Sequence, residues 1–205
     1  MIFDPAAVSS GAMYRFLIGV VVPRPIAFIS TLGASGRRNL APFSFFNAIS
    51  SVPPLVGVSF SDRADDPKDT LRNIRETGEF VINVVTDPML EAMVHTAGEW
   101  PRDADEFEIA KLGAEPARRV KAPRVAESPV HLECRLHREI PLGNSVFVVG
   151  EVLLAEARDD LIVDGRVDPE RLLPVGRLGG DSYTRLGEVV HVARPKAERH
   201  PGALS

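Results

Sequence analysis

Three short blocks of the chain carry residue types that could bind and position a ligand. The first runs Pro23-Arg24-Pro25-Ile26-Ala27-Phe28-Ile29-Ser30-Thr31-Leu32 and resumes at Asn39-Leu40-Ala41-Pro42-Phe43-Ser44-Phe45-Phe46-Asn47. A strand ending in Ser-Thr, followed by small and aromatic residues and a proline, offers backbone amides beside a flat apolar wall where a planar heterocycle can lie. The same pattern suits a hairpin whose phenylalanines are simply core, and periodicity does not separate the two. The second block is Ser59-Phe60-Ser61-Asp62-Arg63 with Lys68-Asp69-Thr70. A helix starting near Asp66 presents unpaired amides and a partial positive charge, to which Arg63, Lys68 and the hydroxyls of Ser59, Ser61 and Thr70 can add to hold a phosphate. A plain helix cap with solvated charges is the competing reading. The third block, Pro174-Val175-Gly176-Arg177-Leu178-Gly179-Gly180-Asp181-Ser182-Tyr183, pairs two glycines that admit close backbone approach with a donor, Arg177, and a stacking ring, Tyr183; a tight surface loop has the same composition.

Other chemistry finds less support. His131, Glu133 and His137 fall on one face of a strand, but no third histidine stands at metal-ligand spacing, so a surface or interface role is expected and no metal site is assigned. Cys134 lies on the apolar face of that strand, where a thiol is buried and inert. The chain has neither a Gly-x-Ser-x-Gly elbow nor the Walker and Rossmann glycine patterns.

The elements that must position these blocks are read from apolar spacing. Pro25–Leu32 and the run after Arg37 predict a hairpin turning at Gly33-Ala34-Ser35-Gly36, and Leu55–Ser61 predicts a third strand. Asp66 as cap, Pro67 at the first helical position, Leu71 and Ile74 as a stripe and Gly78 as a stop predict a helix. The same grammar recurs from Asp87-Pro88 to Gly98, with a buried strand at Phe80–Val85 between the two helices. Residues Asp103–Ile109 predict a short helix or ordered loop, and Pro116–Pro129 an extended surface connection. In Val130–Ile140 apolar and polar residues alternate, giving one buried and one polar face. In Ser145–Ala157 both faces are apolar: Val146, Val148 and Val152 on one, Phe147, Val149 and Leu153 on the other. A barrel covers the first face itself, so the second calls for a helix or a second subunit, and a homodimer is expected.

With 205 residues, 44% hydrophobic and 25% charged, the chain suits one soluble domain over 1–205, its core spanning about 14–190 and its tail, 194–205, frayed. The apolar stretches, such as Phe16–Val22, fall short of the ~20 residues of a membrane helix. A net charge of −4 gives no general attraction for nucleic acid. A single cysteine and no secretion signal after Met1 fit the cytoplasm.

Taken together, Pro-Arg-Pro-Ile-Ala-Phe-Ile-Ser-Thr, Asn-Leu-Ala-Pro-Phe-Ser-Phe-Phe-Asn and Lys-Asp-Thr resemble the flavin reductase-like family of FMN-binding split-barrel proteins. The resemblance runs from about Arg24 through Tyr183, including Asp105-Glu106-Phe107-Glu108, Glu127-Ser128-Pro129 and Gly176-Arg177-Leu178-Gly179-Gly180. It implies a mainly β fold, a Greek-key barrel with peripheral helices, and FMN at a dimer interface. By position, Ser30, Thr31, Ala41, Pro42, Ser44 and Asn47 would touch the isoalloxazine and ribityl chain. Ser59, Ser61, Lys68, Asp69 and Thr70 would surround the phosphate end, and Arg24, Gly180 and Tyr183 would reach the flavin from either subunit. Relatives often carry a histidine after the strand corresponding to Gly150–Ala155, where this chain has none, so the donor and acceptor do not carry over.

Hydride transfer from NAD(P)H to flavin is chemistry of the cofactors, so the expected flavin oxidoreductase requires no acid–base residue and no catalytic residue is assigned. Its acceptor would be a flavin or another small molecule, and a flavin-dependent oxygenase is a candidate partner. The competing functions are a non-catalytic FMN-binding protein and a flavin-free β-barrel interaction module. The absence of a Rossmann unit leaves NADH and NADPH undistinguished.

Overall fold

The strands predicted from apolar alternation assemble into one curled antiparallel sheet. The computed structural model describes residues 1–61 and 67–195. A helix, α1 (Ser10–Val20), precedes β1 (Ala27–Leu32), β2 (Arg38–Phe43), β3 (Phe46–Ser51) and β4 (Pro54–Ser61). Next come α2 (Asp69–Thr77), β5 (Glu79–Val84), α3 (Leu90–Thr96), α4 (Glu106–Ala110) and the short pair β6 (Ala114–Glu115) and β7 (Arg124–Val125). The long strands β8 (Val130–Leu142) and β9 (Ser145–Ala157) lead to β10 (Ile162–Val163), β11 (Arg166–Val167), α5 (Pro169–Leu172), β12 (Gly176–Arg177) and β13 (Tyr183–Thr184).

Across the main sheet the order is β2-β1-β5-β8-β9-β4-β3, and the non-consecutive neighbours β1·β5 and β4·β9 give it Greek-key connectivity. The edge strands β2 and β3 are joined by Ser44 and Phe45 alone, so the sheet must curl until its edges meet. At that meeting Phe43 of β2 sets its ring 4.5 Å from Phe60 of β4, and the Ser59 N–H donates to the Phe45 carbonyl at 2.8 Å. No strand ladder joins β2 to β3 or β4. The product is a β-barrel split along one seam, with peripheral helices, as the resemblance implies.

Inside the barrel Ala27, Ile29, Val58, Phe60, Ile82 and Val148 meet the apolar stripe of α2, whose Leu71 and Ile74 are fully buried. Burying each of these two side chains stabilises the plug by roughly 1.5–3 kcal/mol. The helix stops at Gly78, whose φ of 72° is the left-handed conformation that glycine adopts without strain. Gly150 serves close approach instead: a Cβ there would lie 2.4 Å from Cζ of Phe80. Outside the barrel, Ile26, Phe28 and Leu40 form a second core with Met93 and Phe107 of α3 and α4.

Several expectations are corrected. Helix α2 starts at Asp69, with Lys68 as its N-cap at φ −50° and ψ 141°, so Pro67 precedes the helix; the expected cap Asp66 lies outside the described residues. Residues 116–129 are no surface connection, because Val120, Ala122 and Val125 are buried. The supposedly solvated face of β8 holds this strap by its backbone: the fully buried Glu133 carboxylate accepts from the Arg118 and Arg119 N–H groups, and His131 donates from Nε2 to the Val125 carbonyl at 2.9 Å. His131 is therefore no surface residue, and burial pushes its pKa down. The outward face of β9 is also covered more than expected. Val149 is buried, and Phe147 lies over Gly57, where a Cβ would come within 2.2 Å of its ring. A bulge opposite Glu133–Cys134 makes Leu153 an extra residue on β9, which breaks the alternation.

Exposed apolar surface lies elsewhere. No residue of α1 is buried, and its Tyr14, Phe16, Leu17 and Val20 are exposed together with Val21, Ile49 and Val52. No helix among the described residues is long and apolar enough to cross a membrane.

Candidate functional site

The seam ends at the N-terminus of α2, where the first-turn amides have no intrahelical partner. Lys68 provides no side-chain cap, and its ammonium group is exposed. Asp69, which would repel an anion, is tied to Arg72 at 2.5 Å, and Arg72 also donates to the Pro67 carbonyl at 3.0 Å. Thr70 is buried and accepts from Asn39 Nδ2 of β2 at 3.0 Å, while Asn73 donates to Thr31 at 2.9 Å. This amide–hydroxyl lattice locks α2 to β1 and β2, so the helix terminus has a fixed aim. Helix dipole, first-turn amides and one ammonium group make a donor set that fits a phosphate. Arg63 lies outside the described residues.

Along the seam, Asn39, Ala41 and Phe43 share the inward face of β2. Ala41 is half-buried, opposite Ile29 of β1, and its small side chain leaves room beside the strand. The open edge of β2 is partly occupied: Leu40 N–H donates to a Glu106 carboxylate oxygen at 3.0 Å, and Pro42 has no N–H to offer. Burial of Glu106 raises its pKa.

At the C-terminal end of β2 a cleft of about 220 Å³ opens between α1, the Ser44–Phe45 turn, α3 and the β12–β13 hairpin. It brings together Arg24, Pro42, Ser44, Gly180 and Tyr183, five of the residues singled out from sequence. Arg24 is 7% exposed and is largely committed to the chain itself. Its guanidinium donates to the Ile18, Val21 and Leu178 carbonyls at 2.8, 2.7 and 2.7 Å and to Ser44 Oγ at 3.4 Å, clasping the end of α1 to the Gly-Gly loop. Burial first, and the neighbouring Arg177 second, lower its pKa. Arg177 lies over the Tyr183 ring at 4.5 Å and donates to the Tyr183 hydroxyl and the Gly180 carbonyl.

The remaining residues are dispersed. Ser30 is fully buried on the outward face of β1 and donates to the Pro123 carbonyl at 2.5 Å, which takes its hydroxyl away from the seam. Thr31 is buried with its oxygen given to Asn73. Asn47 is exposed on β3 opposite Gly57, and Ser59 and Ser61 lie on the outward face of β4. Sequence reading missed α1, which lends Tyr14 and Ile18 to the cleft; it predicted the helix that became α3, but not that Met93 of α3 and Ala97 just past its end would line the cleft. The signal for α1 was present: Ser9 caps the helix, accepting from Ala12 N–H at 3.2 Å, and Tyr14 and Ile18 are four residues apart. A larger cleft, about 390 Å³, lies by the β1–β2 turn and contains none of the candidate residues. Among the described residues no group of histidines, cysteines and carboxylates could hold a metal ion.

Comparison with known proteins agrees with this architecture. The flavin reductase like domain matches residues 19–169. An uncharacterized protein of Halalkalibacterium halodurans is 42% identical over 202 residues, covering 95% of this chain and 97% of that protein. An NADH-dependent FAD reductase of Streptomyces globisporus is 30% identical over 67% of this chain and 74% of its own. Among solved structures, nitrilotriacetate monooxygenase component B from Bacillus cereus superposes with a TM-score of 0.91 at 34% identity, covering 94% of this chain and 98% of that one. The 2-nitrobenzoate 2-nitroreductase of Pseudomonas fluorescens superposes at 0.88 with 30% identity, covering 98% of this chain and 100% of that one. Matched over most of its length in both sequence and barrel, the chain belongs to the flavin reductase-like family.

Proposed function

We propose that the chain binds FMN in the barrel seam and works as an oxidoreductase that moves a hydride from NAD(P)H to flavin and on to a flavin or another small-molecule acceptor. The observation that carries this reading is the seam itself, which runs from half-buried Ala41 to the uncapped terminus of α2. When bound, FMN would supply the redox chemistry. The protein's part is to bind and orient: Lys68 and the α2 amides hold the phosphate, Thr31, Asn39, Thr70 and Asn73 keep that terminus rigid, and Ala41–Ser44 flank the ring. Ser30 is left out of the wall, and Arg24 acts as a clasp. The named activities of the Streptomyces and Pseudomonas relatives support a nicotinamide donor and a small-molecule acceptor, and the Bacillus relative supports reduced flavin passed to an oxygenase partner. A single cytoplasmic domain completes the reading.

The test is an FMN titration followed by anaerobic addition of NADH or NADPH. A flavin band retained through gel filtration and bleached by at least one nicotinamide is expected; failure to retain FMN overturns the reading, and retention without bleaching leaves a carrier. Lys68→Ala should weaken FMN by about 1–3 kcal/mol, or roughly 5- to 150-fold in Kd, and riboflavin much less. Equal losses for both ligands would remove the phosphate from α2.

The working form is a homodimer in this proposal. The uncovered face of α1, with Val21, Ile49 and Val52, is the surface that a second copy would bury. Light scattering at micromolar concentration should give twice the chain mass, and Leu17→Glu with Val20→Glu should shift it toward the monomer. A wild-type monomer with FMN present would refute the assembly.

A further inference from the structure

Many arginines of this protein meet carboxylates: Arg38 pairs with Asp105, Arg75 with Glu139, Arg124 with Glu156, Arg135 with Glu151 and Arg185 with Asp87. The two that line the cleft at the end of β2 do not. Among the described residues neither Arg24 nor Arg177 forms an ion pair, and every acceptor they use is a carbonyl or a hydroxyl. Such acceptors satisfy N–H groups but carry no net charge, so two positive charges remain beside one cleft. Arg24 has spent four of its five donors. Arg177 has spent one from each terminal nitrogen, which leaves part of its five-donor fork for a ligand.

The rest of the lining is richer in rings. Tyr14, Pro42, Phe43, Phe45, Met93 and Tyr183 surround the space with rings and apolar atoms. The volume, about 220 Å³, exceeds the ~150 Å³ cavity that admits benzene. A cleft that combines aromatic rings with an uncompensated guanidinium suits a planar aromatic body that bears an anion. The geometry points to this cleft as the binding site of a planar aromatic carboxylate, its ring between Phe45 and Tyr183 and its carboxylate on Arg177. The assignment of that ligand as the acceptor rests on the flavin reading, because the cleft shares Pro42, Phe43 and Ser44 with the proposed ring wall.

The test is calorimetric titration of the FMN-loaded protein with benzoate and with its neutral isostere benzamide. Benzoate should bind at least tenfold more tightly, and Arg177→Gln should abolish that preference while Arg177→Lys keeps part of it. Because Arg177 also braces its hairpin, a second variant works from the far wall: Ala97→Phe narrows the cleft from its exposed rim and should lower benzoate affinity with both arginines intact. Equal affinity for the two ligands, a preference that survives Arg177→Gln, or unchanged binding in Ala97→Phe would each overturn the site. Tighter binding of nicotinamide mononucleotide than of benzoate would overturn it too, giving the cleft to the donor. Calorimetry reads benzoate without relying on the flavin, and FMN retention is scored separately by absorbance, so failure of the flavin reading is distinguishable from failure of the carboxylate site.

Discussion

Ala41→Leu is expected to cost the protein its flavin while leaving the barrel folded. Ala41 is half-buried on the inward face of β2, flanked on that face by Asn39, which is bonded to Thr70, and by Phe43, which packs on Phe60. A leucine adds three carbons where the proposed ring edge would lie. The strand itself does not depend on the methyl group, since Ile29 and Leu40 supply the buried contacts at this level. Overpacking at such a wall costs about 1–3 kcal/mol, which predicts an FMN Kd higher by roughly 5- to 150-fold. Flavin absorbance after gel filtration gives the ligand result, and the thermal midpoint of the apoprotein gives the stability result. Loss of flavin with an unchanged midpoint is the expected pair. Full FMN with unchanged reductase activity would move the ring elsewhere, and an unfolded apoprotein would make Ala41 core.

The sheet was legible because its signals are local. The apolar run in 145–157, the Gly78 stop after Leu71 and Ile74, and the turn at Gly33–Gly36 each depend on a few neighbouring residues, and each appears close to where it was expected. The second core and the strap were not legible, because they depend on which polar residue faces which backbone. Glu133 and His131 alternate with Leu132 and Cys134 as a solvated face would. Only the fold reveals that residues 118–125 cross that face and use its carboxylate and imidazole as hydrogen-bond partners.

The candidate site divides along the same line. Lys68–Thr70 lies at the start of α2, close to the expected helix start, because a helix start is a property of one segment. Ser30 and Thr31 do not keep theirs: their types suit ligand contact, but adjacent residues on a strand face opposite ways, and each is claimed by a partner 42 or more positions away, Asn73 for Thr31 and Pro123 for Ser30. The cleft joins residues from position 14 to position 183, and no spacing rule spans that distance.

Arg24 separates a structural role from a ligand-binding one. Its planar fork closes three carbonyls and a hydroxyl from α1, the β2–β3 turn and the loop after β12, and nothing else among the described residues ties these three segments to one point. In Arg24→Ala the carbonyls of Ile18 and Val21, at the end of α1, lose their charged donor, and so does Leu178. Hydrogen bonds to a charged group are worth about 1.5–3 kcal/mol each when partly buried, and they do not add, so a total loss of about 2–4 kcal/mol is expected. Lysine should recover little of it, because a point ammonium group cannot reach three divergent carbonyls. The helix released has no buried residue of its own, so the damage should fall there first: limited proteolysis with trypsin should cut at Arg15 in the variant well before it cuts within the barrel. Denaturant unfolding supplies the free energy, and FMN retention supplies the control. If Arg24→Ala instead keeps its stability and its protected α1 but sheds FMN, the guanidinium is a flavin ligand and the clasp is incidental. If both stability and FMN are lost while Arg24→Lys restores FMN alone, the residue does both, its charge serving the flavin and its fork serving the helix.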